Sequence, residues 1–317
     1  FGLIPRAHRC IFVLNELPDL QPRIQVSLFS ILEEKEIQIR GFKVRLPLDI
    51  QFIFTSNPED YTNRGSIVTP LKDRIGSQIL THYPETVDIA KTITSQESKL
   101  NSETISKIHI PEIARDIIEQ ISFEARESEL VDKKSGVSAR MSITSLQNLV
   151  SSAERRMLIN KEQITSIRMS DFNSVISSIN GKVELVYEGE EEGAEQVSYN
   201  LISDAVKTLF TKYFPKIEKL TKPDEISVYD PILEWFSVNQ LILRDDISNK
   251  DYESILNKVK NADSILNKFI PDIDKKDKLF FIEFLLWGLE SFNKLTIMRT
   301  NNGVEFKDPF NNFINKI

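Results

Sequence analysis

The 317-residue sequence holds a single cysteine, Cys10. No disulfide can form within the chain, and nothing marks it for an oxidising compartment. Positive charge is not in excess: 40 Lys and Arg face 47 Asp and Glu, a net charge of −7. That balance argues against a general nucleic-acid binder, whose affinity rests on neutralising phosphates. The three histidines, His8, His82 and His109, lie far apart and share no metal-ligand spacing. Long apolar runs are missing too. The most apolar stretch, Leu279 to Leu289, is interrupted by Glu283 and is too short to cross a bilayer, so a cytoplasmic protein is expected. No repeat of solenoid length is evident. The first residue is Phe1 and not Met, so a preceding segment is expected. What remains, 40% hydrophobic and 27% charged, is an ordinary globular composition with length for two or three domains.

Three stretches differ in character. From Ile11 to about Tyr83, short β-type runs alternate with a helix, the pattern of an α/β layer. Ile11–Leu14 predicts a buried strand, and 50–55 a second, central one. Between them, Gln21–Glu33 places Ile24, Leu28, Ile31 and Leu32 on one helical face, with Pro22 suited to a first turn. Glu36–Leu46 alternates on either side of Arg40-Gly41, as a β-hairpin does. From Pro84 to Gly181 the period becomes helical, with apolar stripes at Ile113, Ile117, Ile118 and Ile121, and at Leu146, Leu149, Val150, Ala153 and Met157. Asp171–Ile179 predicts a further helix stopped by Asn180-Gly181, and Val183–Tyr187 a short strand. The acidic, glycine-containing run Glu188–Glu195 predicts a flexible linker. Beyond it a separate all-helical module is expected.

Two strand ends carry polar groups suited to phosphate chemistry. Ile11-Phe-Val-Leu14 ends in Asn15-Glu16, at the carboxyl edge where open α/β sheets place ligands. A carboxylate there can hold Mg²⁺ through water or polarise a water for attack on phosphate. The second run ends in Thr55-Ser56-Asn57-Pro58, and the Asn57 amide can orient that water or contact a γ-phosphate.

In order and spacing these residues resemble the back half of an AAA+ ATPase module, of the branch containing the magnesium-chelatase ATPase subunit and the MoxR-type ATPases. Gly2–Arg9 resembles the approach to the Walker B strand, and Ile11–Glu16 that strand itself. Glu36–Leu46 resembles the hairpin before sensor 1, Thr55–Pro58 sensor 1, Pro70–Gly76 the arginine-finger segment, and Ser138-Ala139-Arg140 sensor 2 in the helical lid. The resemblance implies residues 1–84 as the latter part of the α/β core and 85–187 as the lid; an acidic linker at 188–199 and a helical domain at 200–317 follow. It implies that Glu16 activates the lytic water, Asn57 positions it and senses the γ-phosphate, and Arg140 contacts phosphate from the lid. It implies that Arg74 reaches a neighbouring subunit's site, where such fingers are worth roughly 10³–10⁵ in rate. ATP and Mg²⁺ are the implied cofactors, with Asn15 and Glu16 on the metal side, and a homo-oligomeric ring acting on a client protein is the implied assembly. Neither membrane nor nucleic acid is an expected partner.

Two departures from the family pattern matter. Asn15 stands where the family usually has Asp, which weakens the metal site because Mg²⁺ prefers charged oxygens. No Gly-x-x-x-x-Gly-Lys-Ser/Thr loop occurs in the chain, so these residues alone are expected not to turn over ATP. Two other readings share the same motifs. One is an activator acting on the alternative sigma factor, whose Walker B to sensor 1 region is similar. The other is an adaptor in which Asn15 has silenced turnover. The basic hairpin residues Arg40, Lys43 and Arg45 read as a solvated face.

Overall fold

The computed structural model describes residues 2–38, 45–57, 66–217, 227–300 and 302–309, which fall into two compact units, Phe1–His82 and Tyr83–Ile317. The expected hairpin tip at 39–44, with Arg40 and Lys43, lies outside the described residues, as does Pro58.

In the first unit, α1 (Leu3–Arg6) precedes β1 (Ile11–Leu14), a 3-10 turn (Leu17–Asp19), α2 (Pro22–Glu34), β2 (Glu36–Gln38), β3 (Arg45–Pro47), β4 (Gln51–Phe54) and α3 (Thr69–Arg74). β1 and β4 pair in parallel, Ile11 opposite Gln51 through Leu14 opposite Phe54. A parallel pair needs a crossover, supplied here by α2 and the antiparallel β2–β3 ribbon. Phe12 meets Phe52 edge-on at 5.7 Å, and Phe52 stacks on Phe54 at 6.0 Å. Leu14, Phe52 and Phe54 pack on a small core of Leu17, Leu28, Ile31, Leu48 and Leu71.

Both strands were expected to be buried, and the structure corrects this. The opposite face of the pair is open, with Ile11 64%, Val13 52% and Ile53 44% exposed. A two-stranded sheet carrying one covering layer leaves every second side chain uncovered. The α2 face is corrected as well. Ile24 is exposed, and Gln25 is buried in its place. Its Nε2 donates to the Leu20 and Ser66 carbonyls at 2.9 and 3.1 Å, and its Oε1 accepts from Val68 N–H at 2.9 Å. A buried amide with its donors and acceptor satisfied costs little. This one fastens α2 to the segment entering α3.

The second unit begins with α4 (Val87–Glu97), α5 (Ser102–Lys107), β5 (Ile108–His109), α6 (Glu112–Glu127), α7 (Arg140–Ile159) and β6 (Thr165–Ser166). A 3-10 segment (Met169–Val175), α8 (Ile176–Asn180), α9 (Tyr187–Glu192), α10 (Ala194–Tyr213) and α11 (Asp230–Val238) follow. It closes with β7 (Leu241–Arg244), α12 (Asn249–Leu256), α13 (Ala262–Phe269), α14 (Lys278–Ser291), β8 (Thr296–Thr300) and β9 (Gly303–Lys307). One continuous core runs from Ile108 to Phe306. α14 is its axis: every residue from Phe280 to Leu289 is buried, which explains an apolar run of non-membrane length. No described helix is long and apolar enough to cross a membrane.

Three expectations for this part of the chain differ from the fold. The acidic run is not a loose linker: its first half forms α9, and Gly189 lies so near the Leu130 carbonyl that a Cβ would sit 2.5 Å from its oxygen. Close backbone approach at this glycine, where no side chain intervenes, docks the run despite its charge repulsion. Nor is the C-terminal stretch all-helical or separate. β7, β9 and β8 form an antiparallel sheet in that order, and α10 packs on both α6 and α14. The strand expected at Val183–Tyr187 reduces to a single bridge between Val131 and Leu185.

Candidate functional site

The carboxyl ends of β1 and β4 are joined by hydrogen bonds that continue the ladder past the last paired residues. Thr55 N–H donates to the Leu14 carbonyl at 3.0 Å, and Leu17 N–H to the Thr55 carbonyl at 2.9 Å. The Thr55 hydroxyl lies between them in function, accepting from Glu16 N–H at 3.1 Å and donating to Asn15 Oδ1 at 3.3 Å. Asn15 and Glu16 on one strand end therefore stand beside Thr55 on the other, Ser56 and Asn57 follow it in the chain, and all five are exposed. Glu16 adopts left-handed backbone angles, φ 51° and ψ 58°. An L residue does so at a cost of about 1 kcal/mol or more, and the chain turns out of the strand at the carboxylate. The opposite ends are tied too: Arg9 N–H donates to the Asp49 carbonyl at 2.6 Å, and His8 Nδ1 accepts from Asp49 N–H at 3.1 Å. His8 thus has a backbone partner and no ligand geometry.

Arg74 closes α3 and is engaged within its own unit. Its Nε donates to Glu33 Oε2 at 2.8 Å, and its NH2 group reaches the same oxygen at 2.7 Å. NH1 donates to the Pro70 carbonyl at 2.7 Å, and the guanidinium lies 5.0 Å from the Phe29 ring centre. Arg74 also lines a cleft of about 180 Å³ with Ile31, Leu48, Phe52 and Phe54. In the second unit, Arg140 is the first residue of α7, exposed, its N–H donating to Ser138 Oγ at 3.2 Å. Arg45 of the hairpin pairs with Glu36 at 3.6 Å.

Sequence reading quoted Thr55 within the sensor-1-like run without giving it a role, and did not pair Glu33 with Arg74. A threonine ending a strand carries no signal of its own, and Glu33 lies 41 residues from its arginine. Among the described residues no three His, Cys, Asp or Glu side chains cluster as a metal site. One exposed carboxylate, with the Asn15 amide oxygen already accepting from Thr55, does not fit a resident Mg²⁺.

The family model described as "Sigma-54 interaction domain" matches residues 1–76. None of the curated proteins matches the chain. Among solved structures, a candidate ATPase of Cytophaga hutchinsonii ATCC 33406 is similar at 19% identity and a TM-score of 0.25, over 61% of this chain. The chain spans 64% of that structure's length. The family match likens the first 76 of the 317 residues to an ATPase domain of the AAA+ type and leaves the rest of the chain unmatched.

Proposed function

We propose that the first unit supplies the water-activating part of an ATP-hydrolysing site in a ring-forming AAA+ protein of the chelatase and MoxR kind. The observation that carries this reading is the juxtaposition of Asn15-Glu16 with Thr55, two residues before Asn57, at one edge of a parallel strand pair. Glu16 there takes a proton from water attacking the γ-phosphate, and the Asn57 amide orients that water. The 317 residues contain no Gly-x-x-x-x-Gly-Lys-Ser/Thr loop, so this reading assigns the triphosphate cradle to none of them.

Arg74, in this reading, leaves Glu33 to meet the γ-phosphate bound by a neighbouring subunit, and Arg140 contacts phosphate from the lid. The test is complementation in the natural-length protein. Glu16→Gln subunits and Arg74→Ala subunits are each nearly inactive alone. Mixed, they regain turnover, because a site with an intact Glu16 then meets a neighbour's intact Arg74. A mixture no better than either parent contradicts an arginine acting between subunits.

The family match over residues 1–76 favours a second reading, an activator that works on the alternative sigma factor. Nucleotide-dependent binding to that factor, measured beside the complementation, decides between the two clients.

A further inference from the structure

Glu283 sits in the middle of α14 with none of its surface exposed, flanked one turn away on either side by the buried Phe280 and Trp287. Its two oxygens are unequal. Oε2 accepts from the Tyr252 hydroxyl at 2.5 Å and from Met169 N–H at 3.0 Å. Oε1 is sealed from solvent and has no partner among the described residues. The three groups belong to different elements: Tyr252 to α12, Met169 to the 3-10 segment, and Glu283 to α14. One carboxyl therefore joins the segment following α7 to the C-terminal helices.

Burying an ionised carboxylate with one oxygen unpartnered costs far more than burying the neutral acid, which leaves only a single O–H unmet. We propose that Glu283 is a proton-linked latch in this seam. Neutral, it holds the 3-10 segment, α12 and α14 together; ionised, it loosens them to admit water.

The charged surroundings are few and can be named. From the 3-10 segment and the residue before it come Asp171 and Arg168, the latter stacked 4.1 Å over the Tyr252 ring. From α7 comes Arg156, which pairs with Asp171. α10 presents Tyr213 and Phe210 to the neighbouring Phe284. Burial raises the Glu283 carboxyl to about 7, against the opposing pull of Tyr252, Arg168 and the Met169 N–H; Asp171 pushes the same way as burial.

The folded-state value exceeds the unfolded one, so the unfolded chain binds fewer protons between the two, and stability falls as pH rises through that window. The experiment is urea unfolding of the 317-residue chain from pH 5 to pH 8, with infrared detection of a protonated carboxyl. The wild type should lose up to about 100-fold in its folding constant relative to Glu283→Gln over that range. It should show at pH 6 a buried carboxylic-acid carbonyl band that Gln abolishes. Amide exchange at Met169 and along α14 should quicken above pH 7 beyond the intrinsic rate. If the Gln variant fails to fold, Tyr252→Phe serves: losing a donor to the ionised form, it should keep the band to higher pH. Wild-type protein without the band at pH 6, or a Gln variant with the same pH slope, overturns the proposal.

Discussion

The backbone N–H of Glu16 donates to the hydroxyl oxygen of Thr55 across 3.1 Å, and the same hydroxyl donates to Asn15. One threonine thus fixes the register of both strand ends just where the candidate carboxylate leaves β1. Thr55→Val removes both bonds while keeping the shape. These bonds are exposed, so the stability loss should stay near 1 kcal/mol or below. Misplacing the carboxylate by a fraction of an ångström should slow ATP turnover in the natural-length protein by roughly 10²-fold. Thr55→Ser, which keeps the hydroxyl, should retain the rate. Val and Ser variants of equal activity would contradict the role.

Arg74 is held by Glu33, the Pro70 carbonyl and the Phe29 ring, all within its own unit. As a half-exposed ion pair this arrangement contributes at most about 1 kcal/mol. Arg74→Ala should therefore leave urea unfolding almost unchanged while lowering turnover by roughly 10³-fold. A loss of stability matching the loss of turnover would show a structural arginine instead.

Part of this was legible in the sequence. The runs 11–14 and 51–54 form the strands their apolar character predicts, and Pro22 opens α2 where a first-turn proline belongs. Residues whose meaning depends on distant partners were not legible. Gln25 looks like a surface residue until Ser66 and Val68 fold over it, and Glu33 acquires meaning only from Arg74. The acidic run reads as a linker because repulsion is visible in sequence, whereas the docking of Gly189 against Leu130 is not. Glu283 stands out in its apolar run, but its partners lie 31 and 114 residues away.

Gly288 faces the Phe210 ring so closely that a Cβ would overlap it. Alanine is the better helix former, yet overpacking the α10–α14 contact should outweigh that gain. Gly288→Ala is expected to lose about 2 kcal/mol in urea unfolding. Gly181→Ala, where a Cβ would meet only Ser177 O at 3.4 Å, should change little. Equal effects at the two glycines would contradict the packing argument.

Lys91 joins α4 to α6 through Glu112 at 2.8 Å and Asp116 at 2.7 Å, and pairs with Asp88 of its own helix at 3.1 Å. Burial alone would depress its ammonium, but the three carboxylates together outweigh burial and hold its pKa above the ordinary lysine value. A raised value means the contribution is complete below the unfolded pKa and fades only in strong alkali. Lys91→Met should lose about 1–2 kcal/mol, equally at pH 6 and pH 9. A loss confined to one of those pH values would show that other titrating groups control this tie.

The most direct test compares ATP turnover by the natural-length protein with that of its Glu16→Gln variant, with nucleotide binding measured in parallel. A carboxylate that activates water predicts a fall of roughly 10²–10⁴-fold with binding retained. A Glu16→Gln protein that hydrolyses ATP at the wild-type rate would contradict the account.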